Sequence, residues 1–204
     1  MNAKTINLNI DNNSTTNKIL AMQPLWVSRS KDYPFYTLGR CAYLDGKTKA
    51  YYKDSAWQNE ILIGEFESLY EELLNKLSII FQEPVELAHD LAIPGFHIFL
   101  SHPKFLKISG KWHQDYPHIT LGLDDVDSYA FTVAIKLPIS GGGVDYIDEF
   151  HQPQRYEYTE NKLMVHNGLT IHRIASLKQY KPEEYRITMQ GHIVRRNGLL
   201  EAFF

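Results

Sequence analysis

Downstream of Pro94-Gly95 the chain breaks into short apolar runs, none longer than ten residues, each closed by turn-forming residues. The runs span 96–100, 119–123, 129–137, 144–147, 162–165, 169–174 and 185–194. Between them stand Asp124-Asp125, Gly141-Gly142-Gly143, Asn167-Gly168 and Lys181-Pro182-Glu183. Segments of this length and texture read as strands, because a helix needs a longer stretch of periodic apolar residues. So many closely spaced strands bury their apolar faces only when two sheets share one core or a sheet rolls upon itself. The pattern predicts an all-β core of sandwich or jelly-roll type, spanning 94–196.

Upstream the texture differs. From Glu60 to Phe81, Phe66, Leu69, Tyr70, Leu73, Leu74, Leu77, Ile80 and Phe81 recur at steps of three and four, while Glu67, Glu71, Glu72 and Lys76 take the other face. This predicts a helix that buttresses the sheet, giving an α+β arrangement, and Pro84 blocks its continuation. Phe35 to Tyr52 is rich in aromatics and flanks Asp45-Gly46, which predicts two strands joined by a tight turn. Residues 1–20, including the polar run from Asp11 to Asn17, lack hydrophobic periodicity and predict a flexible arm. The remainder, 21–204, is expected to form one domain, with strands and the buttressing helix in 21–93. Its 204 residues at 44% hydrophobic content suit one core rather than two.

Charge narrows the partners. With 21 basic against 24 acidic residues and no basic block, a nucleic-acid backbone is not an expected partner. Cys41 is the only cysteine, so no internal disulfide holds the fold, and a reducing cytoplasm is the expected compartment. No apolar run reaches the roughly 20 residues a membrane helix needs, and the polar start lacks a signal-peptide core.

The chemistry centres on Lys111-Trp112-His113-Gln114-Asp115-Tyr116. In an extended strand, residues two apart share a face, so the His113 imidazole and the Asp115 carboxylate can grip one metal ion. Nine histidines and eleven aspartates produce such a pair by chance roughly half the time in a chain this long, so the context must carry the reading. His172 follows Asp115 after several predicted strands, and Tyr185-Arg186-Ile187-Thr188 comes fourteen residues later. Arg186 and Thr188 share one strand face.

This order, His-x-Asp, a long β segment, a distal His and then Arg-x-Thr, resembles the iron(II)/2-oxoglutarate-dependent oxygenase superfamily over about residues 94–196. The resemblance implies a double-stranded β-helix of the cupin-like, jelly-roll kind. It also implies Fe(II) held by His113, Asp115 and His172, and 2-oxoglutarate held through its distal carboxylate by Arg186 and Thr188. His97, on the strand before the metal motif, is a further candidate contact to the cosubstrate. The expected activity is O2-dependent hydroxylation of an unactivated C–H bond in a small molecule, amino acid or natural-product-like, with 2-oxoglutarate converted to succinate and CO2.

Alternatives remain at this point. His166 competes with His172, although Asn167-Gly168 predicts a turn between them. Lys136 competes with Arg186 as the cation for the cosubstrate, and the triple glycine fits an ordinary hairpin loop as well as a crossover. The remaining histidines, His192 among them, read as surface or packed core residues. A peptide or protein side-chain hydroxylase and a non-catalytic, cupin-like metal-binding protein are the rival functions. The sequence carries no signal of oligomeric state.

Overall fold

A computed structural model describes residues 3–46, 49–107, 110–116, 119, 122, 127–179 and 181–204. In chain order the elements are β1 (Lys4–Asn7), α1 (Asn12–Ala21), β2 (Val27–Ser28), β3 (Phe35–Leu38), α2 (Ala42–Asp45), α3 (Lys49–Phe81), β4 (Val85–Leu87) and β5 (Gly95–Leu100). There follow β6 (Ser128–Lys136), β7 (Gly143–Ile147), β8 (Pro153–Glu157), β9 (Lys162–Asn167), β10 (His172–Ile174), β11 (Tyr185–Arg196) and β12 (Leu199–Phe203). The large sheet runs β1-β9-β6-β11-β5-β3-β2, with β12 beside the second half of β11 and β4 parallel to β12. A smaller sheet, β10-β7-β8, lies across from it. This is a jelly-roll arrangement of two sheets rather than a closed barrel.

Period two along the strands divides the large sheet into two working faces. Phe96 and Ile98 of β5, Phe131, Val133 and Ile135 of β6, Leu163 and Val165 of β9, and Ile187, Met189 and Ile193 of β11 join one apolar core with Leu62, Phe66, Leu69, Leu73 and Leu77 of α3. The intervening residues, His97 and Phe99, Ala130 and Thr132, His166, and Arg186, Gln190 and His192, line a cavity on the opposite face. Helix α3 therefore fixes the sheet from behind and leaves its other face for chemistry. Each fully buried leucine of that helix contributes about 1.5–3 kcal/mol by leaving water.

Several local expectations give way to longer-range contacts. Residues 4–21 are not a free arm: β1 pairs antiparallel with β9, and Ile19 of α1 is wholly buried. Asp11 starts that helix, its carboxylate accepting from the Asn13 and Ser14 amides at 3.0 Å. The predicted hairpin across Asp45-Gly46 is absent. Only its first strand forms, and the following residues enter α2 and α3. Gly46 does adopt positive φ (65°), but as the cap of α2. Asp45 meanwhile binds Arg29 at 2.6 and 2.8 Å and the Cys41 amide at 2.8 Å.

Helix α3 begins eleven residues earlier than the periodicity predicts, bends at Phe66 (φ −125°) and ends at Phe81, before Pro84. Of the run at 119–123, residues 120, 121 and 123 lie outside the described residues. The triple glycine is a crossover rather than a hairpin loop, since β6 belongs to the large sheet and β7 to the small one. A Cβ at Gly143 would stand 2.2 Å from the Tyr156 carbonyl oxygen, so the β7–β8 pairing requires a glycine there.

Candidate metal centre and its cavity

His113 and His172 are clamped to each other by two backbone hydrogen bonds, each amide donating to the other's carbonyl at 2.9 Å. Two residues on, the Asp115 amide donates to the Gly168 carbonyl at 2.8 Å, fixing the carboxylate beside both imidazoles. Asn167 caps the turn that separates β9 from β10, its side chain accepting from the Leu169 amide at 2.8 Å. His166 therefore ends one strand and His172 opens the next.

One ligand atom from each of His113, Asp115 and His172 lies within 4.8 Å of the others. The carboxylate oxygens stand 3.7 Å from His113 Nε2 and 3.4 Å from His172 Nε2. Second contacts set the tautomers. Nδ1 of His113 donates to the Lys111 carbonyl and Nδ1 of His172 to the Thr170 carbonyl, both at 2.7 Å. A carbonyl only accepts, so each Nδ1 carries a proton, and in the neutral ring that metal ligation requires each Nε2 holds the lone pair that faces Asp115. Burial lowers the His172 pKa against the opposing pull of Asp115, which favours the neutral, ligating form. Two imidazoles and one carboxylate arranged this way suit a six-coordinate divalent metal with three open positions.

The triad opens into a cavity of about 460 Å³. Arg186 lies in its wall, buried, with its guanidinium carbon 5.4 Å from the Phe99 ring and 5.2 Å from the Tyr158 ring. Among the described residues its Nε has no hydrogen-bond partner and no carboxylate pairs with it. Desolvation lowers its pKa from the usual arginine range, the mark of a cation held without a counterion. Neighbouring Glu184 instead accepts from the Ile139 amide. Lys136 points elsewhere, pairing with Glu160 at 3.5 Å in a half-exposed position.

Thr188 shares a strand with Arg186 but does not line the cavity; its buried hydroxyl accepts from the Gln190 side-chain Nε2 at 3.4 Å. His97 does line it, sharing a 2.7 Å hydrogen bond between its Nε2 and the Tyr43 hydroxyl. Burial, then the Arg186 charge, press the His97 pKa to about 3, so the ring is neutral.

No family model and no curated protein sequence matches the chain. Solved structures do. An N-substituted L-amino acid dioxygenase from Burkholderia ambifaria, in complex with alpha-ketoglutarate, superposes with a TM-score of 0.59 at 11% identity, covering 99% of this chain and 86% of that one. A 2OG-Fe(II) oxygenase family oxidoreductase from Burkholderia pseudomallei gives 0.53 at 11% identity over 92% and 81%. A prolyl-4-hydroxylase from Pseudomonas putida gives 0.50 at 10% identity over 96% and 92%. The chain has the fold these oxygenases share. At such low identity the likeness speaks to the fold, and the chemistry rests on the side chains. No helix among the described residues is long and apolar enough to cross a membrane.

Four cavity residues escape a reading of the sequence by motif: Tyr43, Tyr158, His166 as a wall rather than a ligand, and His192. His192 carried a usable signal, since it stands six residues after Arg186 on one strand and even spacing puts both on the same face. Tyr43 carried none, because its segment reads as strand and folds as helix α2.

Proposed function

We propose that this protein is an Fe(II)- and 2-oxoglutarate-dependent dioxygenase that hydroxylates an unactivated C–H bond of a small molecule. The observation that carries the reading is a buried Arg186, with no carboxylate partner among the described residues, in the same cavity as a His-Asp-His cluster whose Nε2 atoms both face the carboxylate.

The residues fit both groups. His113, Asp115 and His172 would hold the iron, the carboxylate offsetting part of its charge and the backbone-anchored imidazoles resisting rotation. Arg186 would receive the distal carboxylate of 2-oxoglutarate, because a buried guanidinium without a partner is stabilised by a bidentate anion. When bound, iron and 2-oxoglutarate together supply oxygen activation and C–H oxidation, with succinate and CO2 as co-products. Phe99 and Tyr158 wall the guanidinium away from water, which strengthens its pairing with an anion. His97, neutral and tied to Tyr43, offers polarity without a competing charge beside Arg186.

The test is anaerobic titration of the purified protein with Fe(II) and then 2-oxoglutarate, followed in the visible region. The expected result is a weak charge-transfer band that saturates at one equivalent of each, with succinate forming once O2 is admitted. Absence of the band together with absence of 2-oxoglutarate affinity would reject the function.

A further inference from the structure

The cavity holds more polar side chains than a metal and a dicarboxylate would occupy. Three adjacent strands carry them in one row: His192 of β11 lies opposite Ala130 of β6, and Ala130 lies opposite His166 of β9. All three line the cavity. Strands stand about 4.8 Å apart, so the two histidine backbones flank the small Ala130 at a separation of about 10 Å, leaving a slot between the rings. One end of the slot touches the metal centre, where the His166 ring lies 4.8 Å from that of His172. Aromatic rings border the other end, with Tyr43 at 6.1 Å and Phe203 at 5.7 Å from the His192 ring.

Arg186 lies six residues from His192 along β11, about 20 Å at strand rise. A dicarboxylate running from Arg186 to the metal therefore leaves the His192 end vacant for another molecule.

The hydrogen bonding of the slot is incomplete. Nδ1 of His192 is buried without a hydrogen-bond partner among the described residues. Nδ1 of His166 donates to the Asn167 carbonyl at 2.9 Å, which leaves its Nε2 as an acceptor. The slot thus offers hydrogen-bonding groups but no formal charge. Among the described residues lining the cavity, only Asp115 and Arg186 carry a charged side chain, and the oxygenase reading assigns these to metal and cosubstrate. Arg29, nearby, is held by both carboxylate oxygens of Asp45. A substrate carboxylate or ammonium would be desolvated with no free charged side chain opposite it among the described residues, a penalty of several kcal/mol. A hydroxyl or carbonyl group meets a waiting partner instead.

We propose that the slot formed by His166, Ala130 and His192 is the primary-substrate subsite and that it selects an uncharged, ring-bearing molecule with a hydroxyl or carbonyl group. Free amino acids and other zwitterions are excluded. The proposal rests on the dioxygenase reading and adds the substrate class to it.

The experiment uses Mn(II)-loaded protein saturated with 2-oxoglutarate and follows paramagnetic broadening of probe proton resonances. The probes are shape-matched: cyclohexanol and phenol against cyclohexanecarboxylate and cyclohexylammonium. The neutral pair should be broadened saturably, and the charged pair should bind at least tenfold more weakly. Ala130→Leu, which fills the slot, should abolish the broadening. His192→Phe, which removes the unpaired nitrogen but keeps a ring, should weaken cyclohexanol at least tenfold. Equal or stronger binding of the charged probes, no broadening by the neutral ones, or unchanged binding in both variants would overturn the proposal. Mn(II)- and 2-oxoglutarate-binding to the wild-type protein are measured first on the same sample. Their failure would defeat the dioxygenase reading, whereas intact cosubstrate binding with preference for a charged probe defeats only the subsite.

Discussion

Arg186→Gln separates function from stability, because the two should move in opposite directions. In the free protein the guanidinium is buried, lacks a partner at Nε and faces no carboxylate among the described residues. A charge held this way costs folding free energy. Glutamine keeps a polar head and removes the charge, so the metal-free, cosubstrate-free variant should unfold at the same temperature as wild type or higher. With 2-oxoglutarate the order reverses. Removing one partner of a buried, hydrogen-bonded charge pair costs about 2–5 kcal/mol, so the dissociation constant should rise at least about 30-fold. Ligand at 100 times its dissociation constant stabilises wild type by about 2.7 kcal/mol, a gain the variant should mostly lose at the same concentration. Calorimetric titration under anaerobic conditions with Fe(II) gives the affinity, and scanning calorimetry with and without 2-oxoglutarate gives the stability. Lys136→Gln is the control: its pairing with Glu160 is half-exposed, and its loss should alter neither quantity by more than about 0.5 kcal/mol. Unchanged 2-oxoglutarate affinity in Arg186→Gln, with the loss appearing in Lys136→Gln, would refute the reasoning.

Asp115→Ala removes the only carboxylate of the cluster, and the desalted variant should carry no stoichiometric iron by metal analysis; full occupancy would show that the ion lies elsewhere. His97 gives a pH dependence. Its imidazole titrates near 3 in the folded chain and near 6.5 when unfolded, so below 6.5 the unfolded state binds the extra proton and stability falls as pH falls. Between pH 7 and pH 5 this one residue accounts for about 2 kcal/mol of lost stability. Urea unfolding of metal-free His97→Gln should show a drop smaller by about that amount; an identical drop in both proteins contradicts the burial argument. Asp45→Ala strands the buried Arg29 and frees the Cys41 amide at the start of α2, and should cost about 3–5 kcal/mol in the same assay. A loss below about 1 kcal/mol would mean that Asp45 does not organise the segment carrying Tyr43.

Legibility in this sequence follows the range of the contact that decides each element. The cluster of His113, Asp115 and His172 was legible because His113 and Asp115 are neighbours on one extended segment and because Asn167-Gly168 announces the turn that puts His172, not His166, at the head of β10. Strand alternation was legible for the same local reason. Asp45-Gly46 misled because a hairpin turn and a helix cap both ask for positive φ at the glycine. What decided between them was Arg29, sixteen residues earlier, binding the Asp45 carboxylate. Strand β8, Pro153–Glu157, was missed because it sits at an edge of the small sheet and exposes most of its residues, so it shows no apolar alternation.

The cavity wall shows where local reading stops. Parity along β11 places Arg186 and His192 on one face, but parity alone does not say what stands beside them. The slot exists because β6 and β9 bring Ala130 and His166 into register with His192, across separations of 62 and 26 residues in sequence. A one-residue slip of β6 against β11 would replace Ala130 with Tyr129 or Phe131 and close that slot with an aromatic ring. Register therefore carries the site, and it is set on the opposite face, where Phe131, Val133, Ile187, Met189 and Ile193 must all meet α3 together. The apolar face that gives the domain its stability thus also sets the shape of the cavity behind it.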